Sequence, residues 1–230
     1  MTSGFLSAEQ AKAKNILAMG QELGAVYDAL WQQVALLHRQ WSEYIVLFGT
    51  KESRVSLLNE AAPSFTRIIQ DSLWESILLH IARLTDPPKS SGKPNLSVRA
   101  LSSLVSHSEI KLTVESRSKE ALLAAEFCRD WRNRRIAHRD LGLALEKGAE
   151  PLKPATILKV EDALNALSAV LNTISIKYLD STTFFELDTK SGGAMSLLLV
   201  IDAGLHAERA RYKRRRAGTG NADDYKQRNL

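Results

Sequence analysis

Basic and polar side chains crowd the segment WRNRRIAHRD, residues 131–140. It holds four arginines, Asn133 and one histidine, His138. Histidine is the side chain whose ordinary pKa lies nearest neutral pH, so His138 can exchange a proton there. Like charges on one helix repel each other mildly, and a bound anion would relieve that repulsion. The segment therefore predicts proton transfer beside a bound anion. The alternative is that His138 only completes a helix C-terminus, where positive charge is favoured.

The arginines differ in the partners that their own helix offers. Asp130 precedes Arg134 by four residues, an orientation that stabilises a helix, and Glu126 is within reach of Arg129. Arg132 has no acid three or four residues away on either side. We therefore expect Arg132 to be the cation that meets the anion, with Arg134 as its replacement.

Helices must position these side chains. Apolar residues recur at three- and four-residue spacing through most of the chain, and strand signals are nearly absent. We predict an all-α bundle of about five to six helices with long antiparallel core helices. Helix starts are predicted at Ser7, with Gln10 reaching back to it, at Pro63, and near residues 96, 114, 156 and 194. The side chains expected in the core include Ile68, Leu78, Leu123, Phe127 and Leu164.

One domain is expected over residues 1–216, because 44% hydrophobic and 25% charged residues are ordinary globular values. The segment 217–230 is poor in apolar side chains and is expected to be disordered. The whole net charge of +5 falls between Glu208 and Leu230. This basic end favours contact with phosphate, or it is simply a solvated helix end.

Several classes of protein are excluded or disfavoured by simple features. The single cysteine, Cys128, excludes an intramolecular disulfide framework and favours a reducing compartment, so we expect a cytoplasmic protein. A secretory signal is missing, and the longest apolar run, SLLLVI at 196–201, is too short to cross a bilayer, so no membrane role is expected. We expect neither cofactor nor metal, since His38, His107 and His206 lack an acid or histidine at metal-ligand spacing. His80 lies within the apolar stripe of its helix and is expected to be a satisfied core residue.

The order of residues in the basic segment is similar to a known signature. Arg132, the polar Asn133, a short gap and His138 resemble the pattern of the HEPN superfamily of helical nucleotide- and RNA-binding domains. The upstream segments ARLTDPP, residues 82–88, and NLSV, residues 95–98, further resemble the HEPN branch associated with bacterial abortive infection. The resemblance covers a motif region of about 65–179.

This resemblance implies a homodimer that cleaves RNA without a metal ion, as a toxin or phage-defence effector. Such cleavage needs a base for the 2′-hydroxyl proton, an acid for the leaving 5′-oxygen and a cation for the charge on phosphorus. His138 is the expected proton carrier and Arg132 the expected cation, while Asn133 orients the phosphate or the histidine through hydrogen bonds. The neighbouring side chains expected to bind RNA are Arg134, Arg135 and Arg139.

Helix geometry sets a condition on this hypothesis. Six residues of α-helix rise roughly 9 Å and rotate by about 600°, so Arg132 and His138 would point to different sides of a straight helix. Either the helix breaks before His138, or two protomers each contribute one of the two residues to a shared site. Two other interpretations stay open: a non-catalytic module that binds RNA, nucleotide or protein, and a toxin that is paired with an antitoxin.

Overall fold

The computed structural model describes residues 6–185 and 192–226, and within them the protein is helical. The only strands in these ranges form a short antiparallel ladder of β1 (Lys89–Ser90) and β2 (Lys93–Pro94). The predicted all-α fold is confirmed. The α-helices are α1 (Ala8–Met19), α2 (Gln21–Tyr44), α3 (Glu52–Ala61), α4 (Pro63–Leu84), α5 (Leu101–Leu104), α6 (Ser108–Ala124), α7 (Glu126–Trp131), α8 (Leu141–Ala144), α9 (Ile157–Leu179), α10 (Ala194–Arg216) and α11 (Ala222–Tyr225).

Two compact units divide the chain. The first comprises residues 1–41 and 73–187, and the second comprises residues 42–72 and 188–230. The basic segment and both upstream segments of the motif region lie in the first unit. The single domain expected over 1–216 stays a prediction.

Helix α1 begins as its sequence predicted. The Ser7 hydroxyl accepts the backbone N–H of Gln10, and the Gln10 side chain accepts the backbone N–H of Ser7. The helix ends at Gly20, whose φ of 86° lies in the region that glycine adopts without strain. Gly20 thus separates α1 from α2.

The core of the first unit includes the closely packed pair α6 and α9. Thr156 caps α9 by accepting the backbone N–H of Lys159, and the helix then buries an apolar stripe. The predicted core residues Leu78, Phe127 and Leu164 are buried. Leu123 of α6 was expected in the core but is 71% exposed, because the buried face of that helix carries Val114, Ser118 and Ala121 instead. The apolar stripe of α9 consists of Val160, Ala163, Leu164, Leu167, Val170, Leu171 and Ile174.

The second unit contains α3, which the sequence had not suggested, and the basic helix α10. Glu43 accepts the first backbone N–H of α10, from Ala194, at 2.6 Å, which is a favourable contact for a carboxylate at a helix N-terminus. Helix α10 has the bounds that were predicted from its sequence. Ile68 lies on the part of α4 that belongs to this unit, and it is 61% exposed, contrary to our expectation.

The C-terminal segment has local structure up to Lys226, although we expected disorder from residue 217. Arg214 of α10 forms a two-point ion pair with Asp224 of α11, and Asn221 caps that short helix. The ion pair lowers the pKa of Asp224 to about 2. The last four residues lie outside the described ranges. None of the described helices is both long and apolar enough to cross a membrane.

Candidate functional site

A π-helical turn carries the basic segment. Helix α7 gives way at Arg132–Ile136 to i→i+5 hydrogen bonding, in which the backbone N–H of Ala137 donates to the carbonyl of Arg132 at 2.8 Å. Such turns are rare and are found frequently at functional sites. The helical backbone ends before His138. One of the two conditions that helix geometry imposed, a break between Arg132 and His138, is therefore met.

Arg132 is held by two partners. Its Nη1 donates to both carboxylate oxygens of Asp86, at 2.6 and 2.8 Å, and its Nε donates to the Oδ1 of Asn133 at 3.0 Å. The side chains of Arg132 and Asp86 are 24% and 21% exposed. Within the described ranges, the Nη2 of Arg132 and the Nδ2 of Asn133 make no hydrogen bond. The two residues therefore present free N–H donors next to each other, in a fixed orientation.

The segments ARLTDPP and NLSV form the support behind Arg132. Arg129, one turn earlier on α7, donates from Nη2 to the carbonyl of Thr85 at 3.1 Å. The Ser97 hydroxyl donates to the Asp86 carbonyl at 2.6 Å, and the Asn95 side-chain amide donates to the Pro87 carbonyl at 2.8 Å. Two segments that are distant in sequence thus fix the backbone at residues 85–87, which carries the carboxylate that orients Arg132.

Arg134 is hydrogen-bonded to the loop that precedes α9 in the first unit. It contacts Asp130 at 3.4 Å, as the sequence predicted, and it also donates to the backbone carbonyl of Glu150. The second carboxylate oxygen of Asp130 accepts the backbone N–H of Lys153 at 2.8 Å. Arg134 and Asp130 therefore secure the loop that leads to α9, which gives Arg134 a structural role.

Arg135 and Arg139 line a basic cavity of about 190 Å³, to which Arg134 also contributes. The Nε of Arg135 lies 3.2 Å from Glu75 Oε1, and its guanidinium carbon lies 5.3 Å from the ring centre of Trp131. Arg139 is exposed, and its side chain makes no hydrogen bond or ion pair to the part of the chain that the structure describes. Of the three arginines expected to bind RNA, Arg139 is the one whose charge has no protein partner in that part.

His138 is exposed, directly after the π-helical turn. Neither a hydrogen bond nor an ion pair joins its imidazole to residues 6–185 or 192–226. Both ring nitrogens are thus open to a ligand. The fold joins Arg132 and Asn133 by a hydrogen bond, but no hydrogen bond joins His138 to either of them.

A family model described as HEPN AbiU2 matches residues 20–194, which is more than half of the chain. The chain belongs to the HEPN AbiU2 family. This family is an abortive-infection branch of HEPN, the same branch that ARLTDPP and NLSV resemble. The match includes the whole candidate site of this AbiU2 protein. Comparisons with curated proteins and with solved structures each gave no match.

Sequence reasoning missed several residues that hold the AbiU2 site together. Asp86 was not among the expected site residues, although an acid inside the ARLTDPP segment was a signal that it could pair with the motif arginine. Glu126 was expected to reach Arg129, but it pairs with Lys153 at 2.6 Å, a contact that lowers the pKa of Glu126. The role of Arg129 toward Thr85 had no signal in the local sequence.

The other nucleophilic and titratable groups of this AbiU2 chain are occupied or buried. Burial raises the pKa of the Cys128 thiol far above its ordinary range, which makes that side chain an inert part of the core. The Nε2 of His80 lies 3.0 Å from the Oε1 of Gln33, as expected for a satisfied histidine of the helix stripe. Across the described residues, His, Cys, Asp and Glu side chains form no group of three that could hold a metal ion.

Proposed function

We propose that this HEPN AbiU2 protein is a metal-independent endoribonuclease, active as a homodimer in the cytoplasm during abortive phage defence. The observation that carries the proposal is the fixed orientation of Arg132, by Asp86 and Asn133, in the π-helical turn that ends just before an exposed and unpartnered His138. A fixed cation and a proton carrier are the two kinds of group that phosphodiester cleavage mainly requires.

The chemical step is an internal transfer within the RNA. The neutral imidazole of His138 takes the 2′-hydroxyl proton while the 2′-oxygen forms a bond to phosphorus. The bond from phosphorus to the 5′-oxygen breaks, and the imidazolium of His138 gives its proton to that oxygen, directly or through water, so that a 2′,3′-cyclic phosphate and a 5′-hydroxyl result. The free Nη2 of Arg132 and the amide of Asn133 donate to the phosphate oxygens, which stabilises the charge that develops there.

Two protomers complete the proposed site. Within one chain no hydrogen bond or ion pair joins His138 to Arg132. In the proposed dimer the imidazole of one protomer acts on a phosphate that is bound by Arg132 of the other. Arg139 and the basic cavity lined by Arg134 and Arg135 guide the RNA strand, because guanidinium groups bind phosphates without regard to sequence. A toxin of this kind would need a partner antitoxin, which we propose as a second binding partner.

The competing function is a binding module without catalysis. It is favoured by the ion pair between Arg132 and Asp86, since an arginine that already has a carboxylate partner can serve the fold alone. In that case the basic cavity would hold RNA, nucleotide or an acidic protein, and His138 would have no chemical role.

Substitution of His138 by alanine separates these two functions. We expect cleavage of a labelled transcript to fall by about 10²- to 10⁴-fold, the usual contribution of a general acid or base, while RNA affinity stays close to that of wild type. Gel analysis of the products and a binding titration measure the two properties. His206→Ala is the matched control, because His206 is an exposed histidine of α10 that pairs with Asp202. A wild-type protein that binds RNA and leaves it intact under the same conditions supports the module instead.

A further inference from the structure

The C-terminal half of α10 carries a basic surface that the cleavage step does not use. Six of the eight residues from Arg209 to Arg216 are arginine or lysine, and all of them belong to the second unit. Three of the six cations have an acid partner in that unit. These ion pairs are Arg209 with Glu60, Arg211 with Glu208, and Arg214 with Asp224.

The other three cations of this stretch lack a partner within the described ranges. Lys213, Arg215 and Arg216 are exposed, and their side chains form neither a hydrogen bond nor an ion pair with a residue that the structure describes. Like charges on one helix repel each other, so a bound anion would stabilise them. The dipole of α10 also favours cations at this end, so the charges alone do not identify a ligand.

Tyr212 is the aromatic residue of the same surface. It is 58% exposed, and its side chain makes no hydrogen bond or ring contact with the part of the chain that the structure describes. Side chains three and four residues apart are neighbours on a helix, so Tyr212 lies beside Arg215 and Arg216. Lys213 is a neighbour of Arg216 by the same rule. We call these four residues the Tyr212 patch: Tyr212, Lys213, Arg215 and Arg216.

The Tyr212 patch faces away from α11. Ala210 and Arg214 line a cavity together with Asp224 of α11, which defines the side of α10 that α11 covers. Tyr212 is two residues from both Ala210 and Arg214, so its side chain points about 160° away from theirs. The ring is therefore open to a ligand on the side of α10 that α11 leaves uncovered.

Single-stranded RNA has the chemistry that matches an exposed ring beside unpartnered cations. Its phosphates bind guanidinium and ammonium groups, and its unstacked bases stack on aromatic side chains. In duplex RNA the bases are already paired and stacked, so the ring would contribute nothing to binding. An anionic membrane fits less well, because a helix that lies on a membrane needs an apolar face. Among residues 205–216, all described by the structure, Tyr212 is the only exposed large hydrophobic side chain.

We propose that the Tyr212 patch binds single-stranded RNA, with one base stacked on the ring of Tyr212 and flanking phosphates on Lys213, Arg215 and Arg216. These contacts involve base faces and phosphates, so they bind RNA without regard to its sequence. The proposal rests on the proposed function in taking RNA as the ligand. It adds an RNA-binding surface in the second unit, whereas the motif residues belong to the first.

Tyr212→Ala tests the stacking contact in the full-length protein. The probe is a short fluorescent uridine oligomer with methylated 2′-oxygens, which the proposed cleavage step cannot cut. We expect its affinity to fall by about 5- to 150-fold, the range for one stacked base, whereas Tyr212→Phe keeps wild-type affinity. Affinity for a duplex of this oligomer should not change. Tyr225→Ala is the matched control, since Tyr225 is 63% exposed in the same unit but follows two acids.

The double substitution Arg215→Gln and Arg216→Gln tests the phosphate contacts. Each contact to a single strand contributes about 0.7 to the slope of log affinity against log salt, so the slope should decrease by about 1.4. Tyr212→Ala should leave the slope unchanged, because the ring carries no charge. The control is the double substitution Lys12→Gln and Lys14→Gln, which removes the same charge from exposed positions of α1. Equal decreases in the two double variants would show an effect of net charge alone and would overturn the phosphate contacts.

Binding and cleavage are measured separately, so each proposal can fail alone. The expected losses of affinity support the Tyr212 patch even if wild type leaves every transcript intact, in which case only the ribonuclease proposal fails. Unchanged affinity in Tyr212→Ala, or an equal loss in Tyr225→Ala or with the duplex, overturns the patch even if wild type cuts RNA. Wild type that binds phosphatidylglycerol vesicles and not the oligomer also overturns it, in favour of a membrane surface.

Discussion

The guanidinium of Arg132 shows how one residue can serve both fold and chemistry. Its Nη1 is bound to Asp86 and its Nε to Asn133, which leaves Nη2 for a phosphate oxygen. Because the orientation is fixed before RNA binds, little side-chain entropy remains to be lost on binding. An arginine without such partners, like the exposed Arg139, would bind a phosphate without fixing its position.

Asp86→Asn tests this ion pair. The substitution keeps the size of the side chain and one acceptor oxygen but removes the charge, so we expect the free energy of unfolding to fall by about 1–2 kcal/mol. Urea denaturation measures the free energy of unfolding of the wild-type protein and of the variant. Asp71→Asn is the control, because Asp71 pairs with Arg67 on an exposed helix face and should contribute less than about 1 kcal/mol. Equal losses in the two variants would show that the Asp86 pair is no stronger than a surface pair.

His80 predicts a specific pH dependence of stability. Its pKa is lowered in the folded protein, so below pH 6.5 the unfolded chain takes up a proton at this residue before the folded chain does. The free energy of unfolding should therefore fall as the pH drops below 6.5. In His80→Gln this contribution is missing, and the loss between about pH 7.5 and about pH 5 should be smaller. Urea denaturation of both proteins at the two pH values measures the difference, and parallel losses would contradict it.

At the scale of elements, a change in helix type decides where the motif lies. The i→i+5 turn of Arg132–Ile136 and the end of the helix before His138 alter the spacing that a straight α-helix would impose. Between α1 and α2 the chain direction depends on two glycines. Gly20 ends α1 in a positive-φ conformation, and Gly24 lets the two helices approach closely. In both places the backbone, and not a side chain, determines the direction of the chain.

Gly24→Ala and Gly204→Ala form a matched pair that tests the close approach. A Cβ at Gly24 would lie 2.5 Å from the Ile16 Cα, a backbone atom that cannot move aside cheaply. We expect a loss of about 1–3 kcal/mol in the free energy of unfolding. A Cβ at Gly204 of α10 would meet nothing within 4 Å, so alanine there should stabilise the helix by about 0.5–1 kcal/mol. Chemical denaturation measures both, and a stabilising Gly24→Ala would refute the close packing.

At the scale of the whole molecule, the proposed site is complete only in a pair of protomers. A symmetric dimer would contain two copies of it, each with Arg132 from one protomer and His138 from the other. Association would then control activity, because a monomer would carry the groups without bringing them to one phosphate.

Mixing two inactive variants tests this arrangement. After joint refolding of Arg132→Ala and His138→Ala proteins, half of the dimers are mixed, and each mixed dimer has one intact composite site. We expect about a quarter of wild-type cleavage to return, whereas each variant alone stays inactive. Mass measurement in solution confirms the dimers. Mixed dimers that recover no activity would show that both residues act from the same chain.

The sequence by itself determined the helical fold and the starts of four helices, α1, α4, α9 and α10. Helix starts depend on contacts within one helical turn, so neighbouring residues in the sequence predict them. The examples are the capping pair of Ser7 and Gln10, the proline Pro63 and the cap residue Thr156. The motif residues Arg132, Asn133 and His138 were also identified from the sequence alone.

Only the tertiary structure decided what holds the motif. Asp86 lies 46 residues before Arg132, and Glu75 lies 60 residues before Arg135, so no local rule could pair them. Which acid meets which arginine depends on where the folded first unit places Glu75, Asp86 and the π-helical turn, a result of burying apolar faces whose fit is a property of the whole unit. The same packing leaves the buried Oε1 of Gln40 without a hydrogen-bond partner among the described residues, which the sequence could not show.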